Sequence, residues 1–336
     1  MKSRILVRGA LGVAAALALA VSAPAEAQLF RAYLSTSGND ANPCTLPQPC
    51  RLLPAALAAV ASGGEIWLLD SANYNTVTVQ LTKSVTILAV PGSVGSVVAS
   101  NGPAIRIATA GVDVTLRNLV MVPLPGAGGT NGIEVTAGSG VAVDGCLIAN
   151  MPDSGIRATG DISVRVSGTS IRNSGVYGIY LSSGPRATVT GSALSGNAIG
   201  IYVLASAASS TTTAEIADTT IDANTTGVTV HAFDAAGVAM ASVHQSRLVR
   251  NGYGAYAYSN AGGQASLAIA DSLVTGNDHG IHATLPGASA WLSGSMVSHN
   301  GYGLYSNGAL FESAGNNAVR RNTTNTQGTI IQVAPM

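Results

Sequence analysis

Charged residues are scarce in this chain, and lysine is nearly missing. Only 10% of the 336 residues are charged, with 16 basic and 16 acidic side chains. The only lysines are Lys2 and Lys83. Proteins that bind nucleic acid neutralise its phosphates with clustered lysine and arginine. The sequence contains no such basic run, and we therefore expect no nucleic-acid partner.

Aromatic residues are also few, at 4% of the chain, whereas glycine is abundant, with 40 residues. The hydrophobic fraction is 47%, so valine, isoleucine, leucine and alanine must fill most apolar positions. This composition differs from that of a helical bundle and from that of a disordered tail. It predicts many short strands joined by tight turns.

The chain has three cysteines, Cys44, Cys50 and Cys146. The spacing of Cys44 and Cys50 suits a small disulfide-closed loop in an oxidising compartment. A metal site is the alternative, but two cysteines without a nearby histidine or a second cysteine pair fall short of four ligands. We expect the disulfide and no metal site. Cys146 lies among apolar repeat residues and is predicted to be a small buried side chain.

The N-terminus has the features of a signal peptide. Three basic residues in the first eight positions precede an apolar run at 11–21, and Ala25-Glu26-Ala27 matches a cleavage site. We predict removal of residues 1–27 and secretion of a mature chain that starts at Gln28, either to the periplasm or to the cell exterior. The apolar run is short for a membrane span, which needs about 20 residues. The mature chain is predicted to contain no transmembrane segment.

An asparagine recurs at a regular spacing in the rest of the chain. An alignment of eight segments without gaps predicts one column of asparagines: Asn150, Asn173, Asn197, Asn224, Asn251, Asn277, Asn300 and Asn322. Successive members are 23, 24, 27, 27, 26, 23 and 22 residues apart, which is the period of a solenoid. Three positions before the asparagine the residue is aliphatic in every segment except one, where it is Ser170. That column is predicted to face the core.

Glycine followed by an aliphatic residue begins a new strand after each asparagine, as in Gly178-Ile179 and Gly200-Ile201. Apolar and polar residues then alternate, and no repeat shows the helical period. Coils stacked about 4.8 Å apart place identical residues above one another, so the asparagines would form a hydrogen-bonded ladder. These patterns predict an all-β chain folded as a parallel β-helix.

The repeats resemble those of right-handed parallel β-helix proteins of the pectin-lyase-like superfamily, over most of residues 111–336. The segments Asn39–Cys44 and Pro49–Arg51, with the alanine- and leucine-rich stretch at 54–61, resemble the entry segment of many such proteins. In those proteins a short amphipathic helix covers the open end of the coil. Such a cap is needed because a terminal rung exposes apolar core and unpaired strand edges.

The resemblance implies a division of the mature chain into two parts. Residues 28–64 would form an N-terminal cap with a short capping helix. Residues 65–336 would form the right-handed parallel β-helix, with regular rungs from about residue 111.

Tyrosines concentrate on either side of the repeat glycine and form two columns, which histidines continue in one rung. The tyrosines are Tyr177, Tyr180, Tyr202, Tyr253, Tyr256, Tyr302 and Tyr305. The second column, with Tyr180, Tyr202, Tyr256, His282 and Tyr305, is predicted to point outward. A line of exposed aromatic faces suits the binding of a polysaccharide. Stacked tyrosines that stabilise neighbouring rungs without any ligand are the alternative.

The histidine rung is the candidate catalytic centre. Asp278, His279 and His282 are predicted to lie between two tyrosine rungs, and imidazole and phenol suit acid and base roles in β-elimination from a uronate. Arg250 is the candidate to neutralise the sugar carboxylate. Asp278-His279-Gly280 resembles the Gly-His-Gly element of polygalacturonases, but their other acidic and basic elements are missing. No carboxylate cluster suits calcium, and we predict neither a metal nor a cofactor.

Three functions therefore stay open: a carbohydrate-binding module, a structural or adhesive solenoid, and a polysaccharide lyase. The sequence favours a secreted, noncatalytic β-helix that binds polysaccharide or serves as a surface-associated structural protein. A lyase that acts on a uronate polymer through His279 and His282 is the alternative. The sequence predicts no oligomeric state.

Overall fold

The computed structural model describes residues 28–260 and 262–334 of the chain. The predicted signal peptide, residues 1–27, lies outside the described residues. The chain coils into a parallel β-helix with three sheets along its axis, of 13, 11 and 11 strands. Neighbouring strands of each sheet belong to successive turns of the coil and pair in parallel. The predicted all-β, parallel β-helix fold is confirmed.

We call the three sheets A, B and C. Sheet A consists of Leu29–Leu34, Val60–Leu68, Val85–Ala89, Asp113–Arg117, Gly140–Asp144, Ser163–Ser167, Arg186–Thr190, Thr211–Ala217, Val238–His244, Gln264–Ala270, Ala288–Ser293, Leu310–Ala314 and Ile331–Val333. Sheet B consists of Ala72–Asn73, Gly95–Ala99, Leu119–Pro123, Leu147–Ala149, Ser170–Arg172, Ala193–Ser195, Thr220–Asp222, Arg247–Val249, Leu273–Thr275, Met296–Ser298 and Ala318–Val319. Sheet C consists of Val79–Leu81, Ile105–Ala108, Ile133–Ala137, Ser154–Thr159, Tyr177–Ser182, Ile199–Ala205, Thr226–Ala232, Tyr253–Ser259, His279–Thr284, Tyr302–Asn307 and Thr324–Gln327.

Apolar and polar residues alternate along the strands, so that one face of each sheet lines the interior of the coil. Ile156, Ile179 and Ile201 pair directly across successive strands of sheet C and are fully buried. Such stacks of aliphatic residues repeat in all three sheets. The core is therefore one continuous apolar column along the axis of the helix.

The repeat glycines of sheet C allow successive turns to approach closely. A Cβ atom added at Gly254 would lie 2.5 Å from the carbonyl oxygen of Gly280, and one added at Gly178 would lie equally close to Gly200. No real Cβ tolerates such a contact without movement of the backbone. The glycine column is therefore required by packing between rungs.

Two of the predicted ladder asparagines, Asn150 and Asn173, lie one position away from the others. The pairing of sheet B aligns Ile148 with Ile171 and with Leu194, which places both asparagines two residues beyond the core column. They are exposed and have left-handed backbone, with φ of 60° and 55°. The gapless alignment is therefore wrong by one residue in these two repeats. With this correction the core column is aliphatic in all eight repeats, because Ser170 leaves it.

The remaining six asparagines form a continuous ladder at the bend between sheets B and C. Asn224 Nδ2 donates to Asn251 Oδ1 at 3.0 Å, and Asn251 Nδ2 donates to Asn277 Oδ1 at 3.1 Å. The backbone N–H of Asn224 donates to the same Oδ1 of Asn251 at 2.9 Å. The ladder continues through Asn300 to Asn322. It pairs buried polar groups at a bend where the sheets cannot pair them.

A second ladder, which the sequence analysis missed, runs along the bend between sheets A and B. It is built from serine and threonine: the backbone N–H of Thr219 donates to Ser246 Oγ at 3.1 Å, and that of Ser246 donates to Ser272 Oγ at 3.2 Å. Cys146 occupies the same column and is buried, with its N–H donating to Thr169 Oγ1. The recurrence of a small polar residue just after this bend, as at Thr219, Ser246 and Ser272, was the sequence signal that could have identified the ladder.

A short helix, Leu53–Ala59, packs against the first strands of sheets A and C and buries Leu53 and Ala56. Cys44 and Cys50 form a disulfide in the loop before it. The segment predicted to be only a cap also contributes the strand Leu29–Leu34, which is the first strand of sheet A. The coil therefore begins earlier than the sequence predicted.

Candidate functional site

The predicted tyrosines and histidines lie together on the outer face of sheet C. We call this group the aromatic layer; its residues are Tyr177, Tyr180, Tyr202, His231, Tyr253, Tyr256, Tyr258, His279, His282, Tyr302 and Tyr305. The strand pairing aligns Tyr253 with His279 and with Tyr302, and Tyr256 with His282 and with Tyr305. The histidine rung therefore lies between two tyrosine rungs, as the sequence predicts.

The rings of the first column stack on one another. The ring centroids of Tyr253 and His279 are 4.6 Å apart with an interplanar angle of 13°, and those of His279 and Tyr302 are 4.9 Å apart at 16°. These distances match the spacing of neighbouring strands, about 4.7–4.9 Å. The face of each ring is therefore covered by its neighbour, and the ring edges and hydroxyl groups are left toward solvent.

The second column is tilted and only half-exposed. The rings of Tyr256 and His282 are 4.9 Å apart at 55°, and those of His282 and Tyr305 are 4.2 Å apart at 51°. Tyr202 differs from the expectation for this column, because its side chain is only 9% exposed. It stacks on Tyr177 at 5.3 Å and 5°. Contacts within the layer thus cover much of the surface predicted to be open.

A third column, formed by His231 and Tyr258, was missed by the sequence analysis. His231 lies two residues beyond Thr229, in the rung where the tyrosine columns are interrupted. Its Nδ1 is 2.6 Å from the hydroxyl oxygen of Tyr202, and its ring stacks on that of Tyr258 at 3.8 Å. His231 thus connects the two tyrosine groups across the interruption. The alternation along the strand was the signal that could have identified it.

Burial lowers the pKa values of the histidines in the layer. Burial and the neighbouring His279 lower the pKa of His282 to about 4. Burial also lowers the pKa of His279, and Asp278 opposes this effect in part. The pKa of His231 is lowered for the same reason. At neutral pH these imidazoles are therefore uncharged, and the Nδ1 atoms of His279 and His282 are buried without a hydrogen-bond partner among the described residues.

Among the described residues, Arg250 forms neither a hydrogen bond nor an ion pair with His279 or His282. It lies at the bend between sheets B and C, with φ of 53°, and its guanidinium forms an ion pair with Asp222. The arginine that does contact the aromatic layer is Arg157, whose guanidinium lies 4.4 Å from the ring centroid of Tyr180. Arg157 precedes the histidine rung by five strands of sheet C, or about 24 Å. Arg250 therefore already has a carboxylate partner within the protein, and its contact with a sugar carboxylate stays a prediction.

Within the described residues, no three histidine, cysteine or carboxylate side chains lie together as a metal site. The same part of the chain has no helix of the length and apolarity needed to cross a membrane.

Comparison with known proteins identifies the family. The family model of the right handed beta helix region matches residues 104–295, more than half of the chain, and the chain belongs to this family. Its fold is thus a right-handed parallel β-helix, and the resemblance to the pectin-lyase-like superfamily is confirmed.

Several solved structures are similar to this chain. Pectate lyase Pel9A is 16% identical, with 90% of this chain and 79% of that chain covered and a TM-score of 0.50. A GH136 lacto-N-biosidase from Eubacterium ramulus is 11% identical, with 91% and 67% covered and a TM-score of 0.56. A point mutant of the periplasmic alginate epimerase AlgG is 13% identical, with 80% and 77% covered and a TM-score of 0.54. At these identities the similarity shows the fold alone. No curated protein matches the sequence.

Proposed function

We propose that this chain is a secreted, noncatalytic β-helix that binds a polysaccharide along its aromatic layer. The supporting observation is a row of half-exposed tyrosine hydroxyls that have no hydrogen-bond partner among the described residues: Tyr177, Tyr180, Tyr253, Tyr256, Tyr302 and Tyr305. A hydroxyl of this kind donates and accepts hydrogen bonds, as sugar hydroxyls do. The row follows the helix axis and offers an extended ligand repeated contacts.

The stacking of the rings determines how such a ligand would bind. Because the faces of Tyr253, His279 and Tyr302 cover one another, a sugar would meet their edges and hydroxyls. The stack also holds the rings in place before binding, so little side-chain entropy is lost when a ligand arrives. The layer is therefore expected to recognise sugar hydroxyls more than to stack on sugar rings.

Polysaccharide as the ligand class and secretion to the periplasm or the cell exterior rest on separate observations. The similar structures include a pectate lyase and a periplasmic alginate epimerase. Residues 1–27 have the sequence of a signal peptide. Both observations support the proposal.

The test removes the hydroxyls and keeps the rings. The triple variant Tyr180→Phe, Tyr256→Phe, Tyr305→Phe preserves the aromatic packing, so its unfolding curve should match the wild type. Binding on an array of plant, algal and bacterial polysaccharides should fall at least tenfold. Tyr33→Phe, outside the layer, is the matched control. Failure of the wild type to bind any polysaccharide, or unchanged binding by the triple variant, would contradict the proposal.

A structural role of the layer is the second candidate, and the ring stacking favours it. Tyr253→Ser removes one ring from the stack between Tyr256 and His279. If the wild type binds no polysaccharide and this variant unfolds at much lower urea concentration, the layer is a structural spine.

A polysaccharide lyase is the third candidate, and the position of His279 and His282 side by side, with ring centroids 5.4 Å apart, favours it. A neutral imidazole is able to accept a proton, but the lowered pKa values make both histidines weaker bases than a free imidazole. Lyase activity would appear as ultraviolet absorbance of unsaturated products from uronate polymers. It would be abolished in both His279→Ala and His282→Ala. No new absorbance on any uronate polymer would remove this candidate.

A further inference from the structure

The outer face of sheet A contains a shallow groove that the proposed function does not use. It extends from Ser163 to Glu312 over seven successive strands and has a volume of about 670 Å³. Ligand pockets in proteins have volumes of about 300–1,000 Å³. The groove is therefore large enough for a small ligand, and it faces away from the aromatic layer because it belongs to another sheet.

Strand pairing defines the floor of the groove. One column runs through Ser242 and Ala268, and the neighbouring column runs through Ser266 and Ser289. The hydroxyls of Ser266 and Ser289 lie 3.0 Å apart. These side chains are small, so the floor is low and carries hydroxyl groups.

Larger side chains stand at the ends of this floor. Met240 and Leu310 belong to one column, and Trp291 to the other, and all three are exposed. Trp291 is 40% exposed and makes no ring–ring or cation–π contact within the described residues. The other tryptophan, Trp67, has the guanidinium of Arg31 4.0 Å from its ring centroid. Trp291 is therefore the indole with a face available to a ligand, and aromatic faces beside hydroxyls suit sugars.

The charges of the groove indicate which sugars fit. Glu215 and Glu312 line it and form no ion pair in the described part of the chain. Arg186 is already paired with Asp161 at 2.6 Å. The free carboxylates accept hydrogen bonds from neutral sugar hydroxyls, whereas they repel the carboxylates of uronates.

We propose that this groove binds a short neutral oligosaccharide, with Trp291 stacked on one sugar ring and Glu215 accepting hydrogen bonds at the other end. The two residues are three strands apart in the same column, or about 14 Å. The site lies on a different sheet from the aromatic layer and is independent of it.

The test uses the mature chain with Trp67→Phe, which leaves Trp291 as the only tryptophan. Cellohexaose, xylohexaose and mannohexaose are titrated while the fluorescence of Trp291 is recorded. At least one should give a saturable change, and hexagalacturonate should bind at least tenfold more weakly. Adding Ala268→Leu raises the groove floor without removing the reporter, and it should weaken binding at least tenfold. Trp291→Ala, measured by calorimetry, should show the same loss.

Four outcomes would overturn the proposal. These are no response to any of the three neutral hexasaccharides, equal binding of hexagalacturonate, and unchanged binding in folded Ala268→Leu and Trp291→Ala. The fourth is a doubled mass in light scattering with a fluorescence shift that depends on protein concentration alone, which would make the groove an interface between two copies. The triple tyrosine variant should leave the titration unchanged, so failure of the aromatic-layer proposal is distinguishable from failure here.

Discussion

The asparagine ladder offers the sharpest test of the structure, because asparagines in two neighbouring columns have different environments. Asn251 is buried in the ladder, whereas Asn150 is exposed at a left-handed bend. The sequence pattern treats the two residues as equivalent. We expect Asn251→Ala to destabilise the protein strongly and Asn150→Gly to have little effect.

The magnitude follows from the hydrogen bonds of each side chain. Asn251 Oδ1 accepts from the backbone N–H and from Nδ2 of Asn224, and Asn251 Nδ2 donates to Ile221 O and to Asn277 Oδ1. Each such bond contributes about 1 kcal/mol net, so Asn251→Ala should lower the free energy of unfolding by about 4 kcal/mol. Asn150 Oδ1 accepts a single, solvent-exposed hydrogen bond, from Asn173 Nδ2 at 3.2 Å. Asn150→Gly keeps the left-handed backbone unstrained and should cost less than about 1 kcal/mol.

The assay is equilibrium unfolding in urea followed by circular dichroism, with refolding checked for each variant. A change below about 1 kcal/mol for Asn251→Ala would refute the assigned energetic role of the ladder. An equal loss in Asn150→Gly would refute the one-residue correction to the alignment.

Three further predictions concern packing and charge. The pKa of His282 is about 4 in the folded protein, below its ordinary value of 6.5. The folded state therefore binds fewer protons than the unfolded state between these two pH values. As a result, the contribution of His282 to stability is complete above pH 6.5 and falls as the pH decreases toward 4. Because solvent screens the half-buried ring, the loss of stability should be about 1–2 kcal/mol. The urea midpoint of His282→Tyr should depend less on pH over this range than that of the wild type. The same pH dependence in both proteins would contradict the lowered pKa of His282. Gly254→Ala places a Cβ atom against the carbonyl oxygen of Gly280 and should lower the free energy of unfolding, measured in urea, by about 1–3 kcal/mol. A decrease of less than about 0.5 kcal/mol would show that neighbouring rungs are able to move apart at this position. Ser174 occupies the ladder position next to Asn197, and its hydroxyl is buried without a hydrogen-bond partner among the described residues. Ser174→Asn should extend the ladder by one rung and raise the free energy of unfolding by about 1 kcal/mol. A lower urea midpoint than that of the wild type would contradict this geometry.

Much of the fold was predictable because each rung repeats the same local requirements. The aliphatic residue at the core position, exemplified by Leu194 and Ile221, recurs because every rung must fill the same interior. The glycine at positions such as Gly254 recurs because every rung approaches the next at the same point. A repeated physical requirement leaves a repeated residue, which is visible without a structure.

The ambiguity at Asn150 and Asn173 could not be resolved in this way. Asparagine suits a left-handed bend as well as a buried ladder. In each repeat the bend position and the ladder position are adjacent in sequence, two and three residues after the core residue. Only the pairing of Ile148 with Ile171 and Leu194 shows which of the two each asparagine occupies.

The candidate sites depended still more on the tertiary structure. The sequence by itself determined that tyrosines and histidines align on the outer face of one sheet, because the repeat fixes which residues follow each glycine. Only the tertiary structure decided that the rings of Tyr253 and His279 cover one another, and that Trp291 shares a groove with Glu215. Ring orientation and groove shape arise from contacts between side chains of different rungs, and the pattern within one rung does not encode them.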